Sequence, residues 1–131
     1  MSELAWQQET VPVLRWRSAP GRVRVAFSGR RGGVSSGPFA ALNLGALTDD
    51  RAAAVAENRR RLVAAVGGDP ESATMAWQVH GAEIREVDGQ PAPGRFTEPG
   101  VEAFPKSDGL VTSLPGRTMA LREAKSKTLK L

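Results

Sequence analysis

Between Phe27 and Gly45 the chain reads FSGRRGGVSSGPFAALNLG, a stretch holding five glycines and one proline. Glycine inside a helix or strand costs roughly 0.5–1 kcal/mol relative to alanine, so this density excludes regular structure. Ser28–Ala41 is therefore read as a loop whose backbone can enter positive-φ conformations and approach other groups closely. Its most chemical part is Arg30-Arg31-Gly32-Gly33-Val34-Ser35. Glycines let backbone N–H groups turn toward an anion without Cβ obstruction, and arginine donates in bidentate fashion to phosphate or carboxylate oxygens. A plain surface connection would use the same residue types, so the pattern alone leaves both readings open.

The segments around this loop alternate between strand and helix patterns. Val11–Trp16 and Arg22–Phe27 are short runs rich in valine and aromatics, separated by the turn-forming Ser18-Ala19-Pro20-Gly21, which predicts a β-hairpin. Thr48-Asp49-Asp50 offers an N-cap and an acidic first turn to a helix reaching about Val66, closed by Gly67-Gly68 and Pro70. Val55, Leu62 and Val66 keep helical spacing, and Arg59-Arg60-Arg61 are expected to face mostly outward. Residues 74–79 and 83–87 read as strands meeting at His80-Gly81, while 88–106, rich in proline and glycine, reads as irregular. Residues 108–112 and 118–121 look like strands around a Pro115-Gly116 turn. Two strands, a helix and then several strands predict an α+β fold, not a regular βαβ alternation.

Composition removes several function classes. No apolar run is long enough to cross a bilayer, and residues 1–10 lack a signal peptide's basic start and apolar stretch, so a cytoplasmic protein is expected, with no membrane partner. There is no cysteine, hence neither a disulfide framework nor a thiolate metal site. Residues 122–131 carry four positive charges against one negative, so only +1 of the net +4 belongs to residues 1–121. A nearly neutral body with 5% aromatic residues and no tyrosine is a poor nucleic-acid binder. The last seven residues also hold three of the four lysines in a chain otherwise reliant on arginine. This shift divides the sequence into a body, 1–121, and a divergent basic tail, 122–131, of the kind a frameshift or truncation leaves.

The only histidine, His80, lies in Gln78-Val79-His80-Gly81, at a strand end beside a glycine, where an imidazole can reach a cleft. A lone histidine is more often a hydrogen-bonded structural residue than a ligand. Taken with the loop, however, these residues resemble the laccase-domain family, also labelled polyphenol oxidase. That family's pattern of arginine, one variable residue, Gly-Gly-Val-Ser and then Leu-Asn-Leu is met by Arg30 to Ser35 and by Leu42-Asn43-Leu44. The helix segment Glu57-Asn58-Arg59-Arg60-Arg61-Leu62 also looks like the family's and reads as structural. The resemblance covers roughly Val23 to Leu121, and implies mixed β-sheets flanked by helices, here an incomplete portion of an αββα-like architecture.

The resemblance further implies a zinc-dependent purine nucleoside phosphorylase taking adenosine, inosine, guanosine or methylthioadenosine with phosphate, and adenosine deamination as a related activity. Copper, from the older oxidase label, fits poorly, because multicopper electron transfer needs many histidine and cysteine ligands and this chain has one and none. His80 matches the family's first metal-binding histidine and would be the catalytic and metal residue. Arg30, Gly32, Gly33 and Ser35 would hold the anion, with Asn43 and Gln78 positioning the nucleoside. The family's Ala-Asp-Cys motif would fall on Ala124, Lys125 and Ser126, and its later histidine beyond Leu131. Because a catalytic zinc usually needs about three protein ligands, weak metal binding and impaired activity are expected of this chain. Asp108, in Ser107-Asp108-Gly109, could be a weak oxygen ligand, but reads better as a turn cap. The competing readings are a non-catalytic remnant with a residual anion-binding loop, and an interaction module whose basic tail binds acidic surfaces or RNA. The oligomeric state is open.

Overall fold

The computed structural model describes residues 3–45, 48–98 and 106–121. Strands β1 (Leu4–Gln7), β2 (Val13–Trp16) and β3 (Ala26–Ser28) form an antiparallel meander in the order β1-β2-β3. Helix α1 spans Ala52–Ala65, and β4 (Ala73–Met75), β5 (Ile84–Glu86), β6 (Gly109–Val111) and β7 (Thr118–Ala120) follow. β4 pairs in parallel with β7, and β5 with β6. The architecture is α+β, as the sequence predicts.

The predicted hairpin is present as β2–β3, with Val13 opposite Ser28 and Arg15 opposite Ala26. Its turn includes Gly21 at φ +60° and a Val23 N–H bond to the Pro20 carbonyl at 3.2 Å. β1, which the sequence reading missed, covers the free side of β2, with Leu4 opposite Trp16 and Gln7 opposite Val13. Strand alternation places Leu4, Trp6, Leu14, Trp16, Val25 and Phe27 on the outer face. Val13 and Ala26 point inward.

Two small cores meet on α1. Val11, Val13, Leu42 and Ala65 pack with Ala26, Leu44 and Leu62 beneath the meander. Val63, Ala73, Met75 and Phe96 pack with Ala120 on the other side. Each fully buried valine contributes about 1.5–3 kcal/mol of burial, so Val11, Val13 and Val63 anchor the fold. The helix stops where the sequence places its stop. Gly67, at φ +78°, donates to the Ala64 carbonyl and Gly68 to that of Val63, both at 2.9 Å, satisfying carbonyls that have no further turn to bond.

The start of α1 departs from the reading. Arg51 occupies the N-cap position without a side-chain cap, and no acidic residue lies in the first turn. Thr48 and Asp50 are committed to the glycine-rich loop instead. Arg59 departs as well: it is 5% exposed, with its guanidinium bonded to the Leu44 and Phe96 carbonyls and stacked 5.2 Å from the Phe96 ring. Arg60 does lie outward, paired with Glu57, while the partly buried Arg61 pairs with Glu57 and donates to the Gly32 carbonyl at 3.1 Å.

Candidate functional site

The glycine-rich loop is fixed from below by a buried polar network. Asn58, fully buried on α1, accepts the Val34 N–H at 2.8 Å. Its amide donates to Ser35 Oγ at 2.8 Å and to the Asn43 carbonyl at 2.9 Å. The Ser35 hydroxyl in turn donates to Asp50 at 2.5 Å, and the Asn43 amide donates to Asp50 and to Thr48. The Ser35 hydroxyl, more than the Asn43 amide and Arg51, holds the Asp50 carboxyl below the usual aspartate range, against desolvation pushing it up. Ser35, Asn43, Asp50 and Asn58 thus form one connected unit.

The glycines serve that packing. At Gly32 φ is +92°, and a Cβ would run into the Thr10 carbonyl and lie 2.7 Å from Val11 Cα. At Gly33 a Cβ would strike the Ala41 carbonyl and lie 2.6 Å from Asn58 Oδ1. The Val34 and Ser35 N–H groups are turned inward, to Asn58 and to the Ala41 carbonyl. The Arg30 side chain is exposed and makes no hydrogen bond or ion pair among the described residues, while its carbonyl accepts from Ala41 and Leu42.

His80 lies on a different turn, exposed and at φ +59°. It sits between β4 and β5, where Trp77 bridges to Lys106 and Ser107 donates to the Trp77 carbonyl. The N–H groups of Val79, His80 and Gly81 all point at Asp108, at 2.9, 2.8 and 2.8 Å. Desolvation pushes the Asp108 carboxyl up, but the Gly81, Val79 and His80 donors outweigh it and bring it below the usual range. Gln78 beside it is half-buried.

Sequence reading named Ser35 and Asn43 but missed Asp50 as their shared acceptor and Asp108 as the acceptor of the histidine turn. Both aspartates stand where local rules assign caps, and only tertiary contact shows what they hold. Lys125 and Ser126 lie outside the described residues. A metal does not fit the described residues: no group of three His, Cys, Asp or Glu side chains comes together among them, and both Asp108 oxygens are engaged. A shallow depression of about 650 Å³ on the outer face of the meander, lined by Glu3, Leu4, Trp16, Val25 and Phe27, shares no residue with Arg30–Ser35 or the His80 turn. Among the described residues no helix is long and apolar enough to cross a membrane.

Comparison with known proteins adds to this geometry. A family model described as multi-copper polyphenol oxidoreductase laccase matches residues 24–125. A purine nucleoside phosphorylase of Deinococcus radiodurans is 42% identical over 116 residues, covering 88% of this chain and 41% of that protein. One from Corynebacterium glutamicum is 38% identical over 99 residues, covering 76% and 37%. The crystal structure of YlmD from Geobacillus stearothermophilus superposes with a TM-score of 0.72 at 34% identity, covering 87% of this chain and 42% of YlmD. The chain thus spans about two fifths of the length of these relatives. With residues 24–125 inside the family model and this fold shared with YlmD, the chain belongs to the multi-copper polyphenol oxidoreductase laccase family.

Proposed function

We propose that the chain carries the N-terminal part of a purine nucleoside phosphorylase, and that the 131 residues alone are impaired in that reaction. The observation carrying this reading is that relatives at 36–42% identity across most of the chain are named for the activity. In phosphorolysis a phosphate oxygen bonds to the sugar C1′ while the bond from C1′ to the base nitrogen breaks, and the base takes up a proton. Such a site needs a cationic group for phosphate and hydrogen-bonding groups for the nucleoside. Adenosine, inosine, guanosine and methylthioadenosine are the proposed substrates, with deamination of adenosine as a related activity.

Arg30, exposed at the loop, is the proposed phosphate contact. Gln78 is the side chain proposed to face the nucleoside, and the exposed His80 is the proposed catalytic residue, which in a longer protein would also be a zinc ligand. Gly32, Gly33, Ser35 and Asn43 act by holding the loop in shape, since their close contacts and polar atoms are directed inward. Impairment is proposed because His80 is the single imidazole and Ser126 stands where the family places a cysteine. The cytoplasm is the proposed compartment.

The test joins residues 1–121 to the C-terminal part of the Deinococcus relative. Free base and ribose-1-phosphate are measured after incubation with adenosine, inosine or guanosine, with and without phosphate. The folded chimera should turn over and lose activity with His80→Ala, while the 131-residue chain should not turn over. A folded chimera inactive on all three nucleosides, or equal activity from the short chain, would overturn the reading.

A further inference from the structure

The turn carrying His80 is held from outside itself. Three consecutive N–H groups converge on one carboxylate, with Val79 and His80 sharing Oδ1 of Asp108 and Gly81 bonding to Oδ2. Consecutive N–H groups aimed at one point form a nest, a concavity of fixed partial positive charge that an anion fills. His80 has the left-handed conformation, φ +59°, which a residue with a Cβ avoids without outside support. Among the described non-glycine residues it is the only one with positive φ.

Asp108 is itself well anchored for this work. Its N–H and that of Gly109 both donate to the Glu83 carbonyl, at 2.9 and 3.2 Å, on the far side of the same turn. On the near side Ser107, fully buried, donates to the Trp77 carbonyl at 3.0 Å. The backbone leading to the carboxylate is therefore pinned on both sides of the loop it clamps. Gly81 completes the fit, since a Cβ there would come 3.2 Å from Asp108 Oδ2.

We infer that Asp108 is the positioning residue for His80: its carboxylate fills the Val79–Gly81 nest and fixes the left-handed backbone from which the imidazole departs. Its meaning for catalysis rests on the role proposed above for His80, but the clamp itself is a property of the chain alone. Without the carboxylate, three N–H dipoles face one another unscreened and His80 relaxes toward negative φ. The nest then becomes an open site for a small exogenous carboxylate.

The test is made by NMR on the isotopically labelled 131-residue chain, without metal or substrate, so that it stands apart from any result on phosphorolysis. Asp108→Ala should shift the amide protons of Val79, His80 and Gly81 upfield and change the His80 HN–Hα coupling, which reads φ directly. Amides of Ala5 and Arg15 in the β1–β2 pair should stay in place. Added formate should restore the three shifts saturably in the variant and leave the wild type unmoved. Asp108→Asn separates the two oxygens: Oδ1 keeps Val79 and His80, while the amide nitrogen facing Gly81 loses that bond alone. Unchanged nest signals in a folded Asp108→Ala chain, or no formate response, would overturn the inference. If the alanine variant does not fold, the asparagine variant decides, and retention of the Gly81 signal there would be equally fatal.

Discussion

Asn58→Ala probes the network under the glycine-rich loop most directly. The side chain is fully buried and makes three hydrogen bonds, of 2.8, 2.8 and 2.9 Å. At about 1 kcal/mol each their loss totals ~3 kcal/mol, and the Val34 N–H, half-buried and left without an acceptor, adds ~1 kcal/mol more. The sum, about 4 kcal/mol, is a large share of the 5–15 kcal/mol that typically holds a domain. Urea unfolding followed by tryptophan fluorescence measures it. Trypsin supplies a second reading, because a released loop exposes the bonds after Arg30 and Arg31 to faster cleavage. Asn58→Asp keeps an acceptor for Val34 but cannot donate to Ser35 or the Asn43 carbonyl, and it adds a negative charge beside the Ser35–Asp50 pair. It should be destabilising as well, despite its matching shape. A loss below about 1 kcal/mol for Asn58→Ala, with unchanged trypsin cleavage, would refute the claim that this residue organises the loop.

Gly33→Ala should destabilise by about 1–3 kcal/mol, the usual cost of overpacking, because its Cβ meets the Ala41 carbonyl and Asn58 rather than a mobile side chain; a neutral effect in the same urea assay would show that the backbone yields. Asp50 has a depressed folded-state pKa, so its stabilising share is present above roughly pH 4 and is lost as pH falls through the lower folded value. Asp50→Asn should flatten that acid limb of the stability profile, and an unchanged limb would remove Asp50 from the account. Zinc titration of the 131-residue chain by calorimetry should find no submicromolar site, whereas a stoichiometric one abolished by His80→Ala would reveal ligands beyond the described residues.

What could be read from the sequence was what local chemistry determines. The helix over α1 was legible because Val55, Leu62 and Val66 keep one period, and its end because Gly67 supplies the positive φ that the closing bonds need. The glycine-rich loop was legible as a loop, and the Arg-x-Gly-Gly-Val-Ser resemblance identified its family. The start of α1 was not, because Asp50 is drawn away by Ser35 and Asn43, partners 15 and 7 residues upstream. Arg59 read as surface because three arginines run together, and nothing local shows that carbonyls of Leu44 and Phe96 await it. β1 escaped because Leu-Ala-Trp-Gln has little strand propensity of its own and is ordered by its neighbour β2. His80 is singled out by its motif, while Asp108 and its nest belong to contacts spanning nearly thirty positions.

The two parallel pairings are nested: β5 and β6 join inside the loop that β4 and β7 close. Neither can form by zipping outward from a tight turn, as β1 and β2 can, because every register partner lies far along the chain. Each must bring distant ends together before any contact compensates for the lost chain entropy. The meander and α1 are thus the natural early-forming part, and the nested strands the last to join and the first to open. Amide exchange should show this as two tiers, with Val63 and Val13 protected longest and the Ile84–Glu86 ladder exchanging early. The turn that presents His80 belongs to the second tier, so the segment bearing the histidine takes its final shape only when the slowest part of the chain has closed.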